Sequence, residues 1–164
     1  MFQNQVYVTP ALGIAGQFAS SNPMVYKLSG TGKMVADASG VTVGHFAALN
    51  SNGTVTSVPG TAPNASRIGF AHRENNAQIT TFLAEASMVI QPGQPVALFG
   101  TGDFYAIADV VVATTRGSAI LWDVTTGQIS VGGTPTATLI DTGYKMISET
   151  ASTGSLIVIS NIGS

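Results

Sequence analysis

The chain has no cysteine and very little charge: six Lys and Arg and eight Asp and Glu among 164 residues, or 9% of the sequence. Without cysteine there is no disulfide framework and no thiolate metal site. Soluble domains ordinarily carry about 25% charged residues, so this surface must consist largely of Ser, Thr, Asn, Gln and Gly. Long hydrophobic runs are missing too. Mean hydropathy is +0.33, yet aliphatic patches such as Val110-Val111-Val112 fall far short of the roughly 18–20 residues of a membrane-spanning helix. Lys27, Lys33, Arg67, Arg73, Arg116 and Lys145 are scattered and the net charge is −2, which leaves no basic stripe for a phosphate backbone. A chain so poor in charge and so apolar is expected to hide much of its surface against other chains.

Helical periodicity is almost absent. The best helical candidate, residues 77–87, contains Ile79-Thr80-Thr81, whose β-branched side chains favour a strand. Elsewhere apolar and polar residues alternate, and Gly, Pro and Asn clusters recur every 8–12 residues or so. Val41 to Ala47 begins a period-2 run; Asn50-Ser51-Asn52-Gly53 turns it into Thr54–Val58. Ile68–His72, Gln78–Leu83, Met88–Ile90, Val96–Phe99, Phe104–Ile107 and the Val110 stretch read as further strands, and Gly100-Thr101-Gly102 reads as a loop. Ala119–Val124 with Gln128–Val131, and Tyr144–Ser148 with Leu156–Ser160, read as hairpins. The expected fold is a single-domain, all-β antiparallel sandwich or barrel over residues 24–164. Residues 1–23 are expected to form an extended N-terminal arm, apolar but without a period, that packs on a neighbour.

The motifs that carry chemistry fail on inspection. Ser29-Gly30-Thr31-Gly32-Lys33 lacks the first glycine of a phosphate loop, because position 27 is Lys, and lacks the hydroxyl residue after the lysine, because position 34 is Met. Gly100-Thr101-Gly102 lacks the third glycine of a dinucleotide fingerprint, because position 105 is Tyr. There is no Gly-x-Ser-x-Gly elbow, no His-x-x-x-His pair and no acidic calcium loop. His45 falls inside a strand and reads as structural. His72-Arg73-Glu74 is the one local charge cluster, read as a polar hairpin end or as an interface ion pair. The N-terminus has no basic segment followed by a long apolar one, so a secretory signal is not expected.

Four ordered blocks, over about residues 13 to 105, carry a resemblance. Residues 68–90 (Ile-Gly-Phe-Ala-His-Arg-Glu, a polar pair, an Ile-Thr strand, then Leu-Ala-Glu-Ala-Ser-Met-Val-Ile) resemble the structural cement, or capsid decoration, proteins of tailed bacteriophages. Pro92–Val96 with Gly102–Tyr105, Gly13–Pro23 and Gly40–Ala47 are similar to further blocks of that family. The departures are His45, where the family more usually has another basic residue, and Asn75-Asn76, where glutamines are common. The likeness weakens beyond Ala108.

The resemblance implies a non-enzymatic protein without cofactor or metal, made in the host cytoplasm, that binds the outside of a phage head. Its expected partners are the major capsid protein and further copies of itself (a dimer or trimer), with neither nucleic acid nor membrane. The residues expected at protein interfaces are Phe2, Val6, Tyr7, Leu12, Ile14 and Phe18 in the arm, with Arg73 and Glu74 at a subunit boundary. A tail or fibre component is the alternative, and a carbohydrate-binding or hydrolytic β-sandwich is a further one.

Overall fold

The computed structural model describes residues 13–74 and 88–163. The strands are β1 (Val25–Tyr26), β2 (Val35–Ala36), β3 (Val41–Thr42), β4 (Phe46–Leu49), β5 (Thr54–Thr56), β6 (Ile68–Ala71), β7 (Val89–Ile90), β8 (Leu98–Thr101), β9 (Asp103–Ile107), β10 (Val110–Val111), β11 (Ala119–Asp123), β12 (Ile129–Val131), β13 (Leu139–Met146) and β14 (Leu156–Ser160). One 3₁₀ turn, Ala65–Arg67, leads into β6. Among the described residues no helix is long and apolar enough to cross a membrane. The chain is all-β, as its alternation and turn spacing imply.

Two six-stranded sheets carry the architecture. The first runs β1-β8-β6-β4-β5-β2 and the second β10-β12-β11-β13-β14-β9, while β3 and β7 form a separate antiparallel pair. Most pairings are antiparallel; β2–β5 and β10–β12 are parallel. The principal core lies between the sheets. Phe46, Phe70 and Phe99 from the first meet Phe104, Trp122, Ile120, Met146 and Ile159 from the second, all almost wholly buried. Burying such a side chain contributes about 1.5–3 kcal/mol.

The first sheet is buried on its other face as well. Ala47, Ala71 and Leu98, which alternate with Phe46, Phe70 and Phe99, join Val41, Val55 and Val96 in a second apolar cluster that Ile90 also packs against. This sheet curls until β2 meets the chain leading into β8. The Ala36 N–H donates to Gln94 C=O at 2.9 Å, the Gly93 N–H to Ala36 C=O at 2.9 Å and the Val96 N–H to Met34 C=O at 3.1 Å.

Three expectations are modified. The Val41–Ala47 run divides into β3 and β4 because Gly44 sits at φ +78°, where a Cβ would lie 3.0 Å from the Gly16 backbone nitrogen. Gly100-Thr101-Gly102 is not a loop but the bend that passes β8 of one sheet into β9 of the other. Asn161 clamps that bend, accepting from the Gly102 N–H at 3.1 Å and donating to Gly100 C=O at 2.9 Å. Finally, β13 starts at Leu139 rather than Tyr144, because Asp141-Thr142-Gly143 is a bulge within the strand. The return strand expected at Gln78–Leu83 lies outside the described residues.

Candidate assembly surface

The described part of the N-terminal segment lies along β9 of its own chain. The Gly16 N–H donates to Tyr105 C=O at 2.8 Å, the Tyr105 N–H to Gln17 C=O at 2.9 Å and the Ala19 N–H to Asp103 C=O at 2.9 Å, with Phe18 opposite Phe104. The segment, turned at Ile14–Gln17 and bridged to β9 at Phe18, thus lies along the β9 edge of the second sheet. Its far end is pinned by Asp103, whose Oδ2 accepts from Ser20 Oγ and Asn22 Nδ2, each at 2.6 Å. Burial works against the Asp103 carboxylate, but the surrounding Ser160, Ser20 and Asn22 outweigh it and hold its pKa below the ordinary range. Of these, Ser20 and Asn22 make the direct bonds; the Ser160 hydroxyl points to Ile162 C=O at 3.5 Å, and Oδ1 has no hydrogen-bond partner.

Phe18 anchors the middle of the segment. Its ring stacks on His72 at 4.1 Å and meets Phe99 edge-on at 5.1 Å, with Phe104 5.5 Å away. His72 is half-buried among these rings with no partner at Nδ1. This burial lowers its pKa and outweighs the opposing pull of Glu74. Beyond it the Arg73 N–H donates to Gly16 C=O at 2.9 Å, Arg73 Nη1 contacts Met88 Sδ at 3.3 Å, and Glu74 Oε1 accepts from the Tyr26 hydroxyl at 3.3 Å. Partial burial, the Glu74 charge and that hydrogen bond raise the Tyr26 pKa.

Of the residues expected at interfaces, Phe18, Arg73 and Glu74 come together on this edge, and Ile14 is 47% exposed at its start. Phe2, Val6, Tyr7 and Leu12 lie outside the described residues. Sequence reasoning passed over the strip that follows the segment: Met24, Val25, Tyr26 and Leu28 are exposed large hydrophobics, Leu28 at 86%. The signal was Met-Val-Tyr-Lys-Leu straight after Pro23, apolar at consecutive positions where a one-sided strand would alternate. Val110 and Val112 form a second exposed apolar site on β10 and just beyond it, at one end of the second sheet.

His45, just before β4, serves a structural bond. Its Nε2 lies 3.0 Å from Asp109 Oδ2, which also accepts from the Ile129 N–H at 2.8 Å, so one carboxylate ties the two sheets together. Among the described residues no three His, Asp or Glu side chains are grouped as a metal site would require. Among the described residues, one groove of about 330 Å³ is lined by Leu49, Asn50, Pro59, Thr61, Pro63, Asn64 and Arg67.

Two sheets packed on a shared aromatic core, with the N-terminal segment laid along the β9 edge, define the fold of the described residues. The family model of the XM1 gp53 minor capsid protein matches residues 2–161, and the chain belongs to that family. It is a structural protein of a bacteriophage capsid and resides in the virion. A chain of the solved structure "The capsid of Myoviridae Phage XM1" has the same fold, with a TM-score of 0.64 over 98% of this chain and 96% of that one, at 14% identity. No curated protein matches the sequence.

Proposed function

We propose that this capsid protein is a non-enzymatic cement, or decoration, protein that binds the outer surface of the head and strengthens contacts between major capsid subunits. The observation that carries the reading is the N-terminal segment laid along β9. It brings Gly13 to the sheet edge beside Tyr105, where a Cβ on Gly13 would lie 2.5 Å from the Tyr105 ring. The twelve residues before Gly13 span up to roughly 40 Å when extended, enough to reach a neighbouring subunit. Phe2, Val6, Tyr7 and Leu12 are the side chains assigned to that contact, with Ile14, Arg73 and Glu74 at its base. Many such contacts, individually weak, hold a lattice through multivalency, and extended backbone can add to an exposed strand edge of the partner.

The test uses heads assembled without this protein. Added back, the wild-type chain is expected to coat the exterior in a regular repeat, seen by cryo-electron microscopy, and to raise the temperature at which the heads release DNA. Deletion of residues 1–12 keeps the Phe18 anchor and is expected to lower occupancy by about tenfold or more. Density inside the shell, at one vertex or on the tail overturns the outer-surface reading. Unchanged occupancy of the deletion variant overturns the role of the arm.

A further inference from the structure

Asn52-Gly53 is the one Asn-Gly pair in the sequence, and it forms the tip of the β4–β5 hairpin. In such a pair the asparagine side-chain amide is open to attack by the next backbone nitrogen, because glycine has no Cβ to hinder the approach. Asn52 is exposed, whereas Gly53 is buried.

The turn engages the atoms this reaction needs. The Gly53 N–H, the attacking group, donates to Asn50 C=O at 3.1 Å. Asn52 Oδ1, on the carbon to be attacked, accepts from the Thr54 N–H at 3.0 Å and from the Thr54 hydroxyl at 2.8 Å. That hydroxyl accepts in turn from Asn50 Nδ2 at 3.0 Å. Gly53 C=O accepts from the Val35 N–H at 3.2 Å and so ties the turn to β2. Gly53 is also boxed in. It sits at φ +83°, and a Cβ there would collide with Thr31 Oγ1 and lie 2.6 Å from Lys33 C=O.

We propose that Asn52 is a latent site of self-modification, held unreacted by the closed turn, and that conversion to isoaspartate keeps the turn from closing again. Gly53 N attacks Asn52 Cγ, gives up its proton to water, and Nδ2 leaves as ammonia. The cyclic imide so formed has no N–H, and the bond to Asn50 C=O is lost. Water then opens the ring. Addition at Cγ leaves aspartate at this position with the main chain restored. Addition at the main-chain carbonyl of residue 52 leaves isoaspartate, whose main chain runs through Cβ and Cγ and is lengthened just before the boxed-in Gly53. This turn holds β2 on one side and Gly93–Val96 hold it on the other, so the isoaspartate form loses the closure of the first sheet.

The test incubates the full chain in warm, mildly alkaline buffer, folded and, in parallel, unfolded in guanidinium chloride. Mass spectrometry of the tryptic peptide between Lys33 and Arg67 locates the exchange of nitrogen for oxygen among Asn50, Asn52 and Asn64. Enzymatic methylation scores isoaspartate. Conversion at Asn52 is expected to be slower in the folded chain by about tenfold or more, because the reaction waits on local opening. Thr54→Val keeps the β-branched shape without the hydroxyl donor. It is expected to convert faster than wild type when folded and at the same rate in denaturant. Refolded isoaspartate chains are expected to lose hydrogen-exchange protection at the Val35 and Gly53 N–H groups, while Asn52→Asp keeps it.

Equal rates in the folded and unfolded chain overturn the restraint by the turn, and this comparison needs no variant. No conversion in denaturant overturns the site itself. A folded Thr54→Val chain that converts no faster than wild type overturns the part given to the hydroxyl. Isoaspartate chains protected like wild type overturn the loss of closure.

Discussion

At Asp109 one carboxylate oxygen serves both the His45 imidazole and the Ile129 backbone N–H. Burial opposes its charge, but those hydrogen bonds and the attraction of His45 prevail, and the pKa lies below the ordinary 3.8. A carboxyl depressed in the folded state contributes stability that is complete above its unfolded pKa and is lost as pH falls through the folded one. The acid limb of the stability curve should therefore steepen as pH falls below 3.8. Asp109→Ala leaves a half-buried N–H and an imidazole without their acceptor and is expected to cost about 1–3 kcal/mol. Asp109→Asn keeps one acceptor oxygen and should cost less while flattening the acid limb. Urea denaturation across pH measures both. An alanine variant as stable as the wild type would show that the sheets do not depend on this tie.

The segment from Gly13 to Asn22 is held at its middle by a ring that stacks on a histidine. Burial disfavours the charged form of His72 and outweighs Glu74, so its folded pKa lies below the ordinary 6.5. The detached state binds a proton more readily than the docked one. Docking therefore has its full strength above pH 6.5 and weakens as the pH falls below that value. Hydrogen-exchange protection factors at Gly16, Ala19 and Tyr105, whose N–H groups make the bonds between the segment and β9, should be steady above pH 6.5 and fall as the pH drops below it. His72→Phe should remove that dependence. Protection factors that hold steady in the wild type would mean that His72 does not control docking.

The same elements show what could be read from the sequence and what could not. Ala119–Asp123 with Ile129–Val131 was legible because a Thr-Thr-Gly turn separates two apolar runs, and these strands pair antiparallel as that spacing requires. The β4–β5 hairpin across Asn50–Gly53 was legible for the same reason. The division of Val41–Ala47 was not, because the first sheet is buried on both faces and gives no polar side to follow. At β13 the strand was read only from Tyr144, because Asp141 and Gly143 interrupt the apolar pattern. Only the partner strand shows that residues 141–143 continue it as a bulge, with Ile120 opposite Tyr144 and Leu121 opposite Asp141. Family blocks pointed to Phe18, Arg73 and Glu74, whereas the exposed strip Met24–Leu28 emerges only from the burial of the folded chain.

For the whole molecule the scarcity of charge has a measurable consequence. Several of its charges are already engaged within the chain: Arg116 pairs with Glu149 at 2.8 Å, Asp123 accepts from the Thr125 hydroxyl and N–H, Lys27 Nζ donates to Ser66 C=O, and Asp103 and Asp109 are bound as described. Contacts built from apolar side chains and backbone edges do not rely on long-range attraction. Raising salt from about 0.1 to 1 M shortens the screening length from roughly 10 to 3 Å and suppresses binding that depends on surface charge. The amount of this protein retained on heads should stay within about twofold over that range, since little of its contact can be screened. Burial of apolar surface should also give a negative heat-capacity change, read as a binding enthalpy that becomes more negative on warming. A tenfold loss of binding at high salt, with a heat capacity near zero, would place the contact on the few free charges, such as Arg67 and Lys145, and not on apolar side chains.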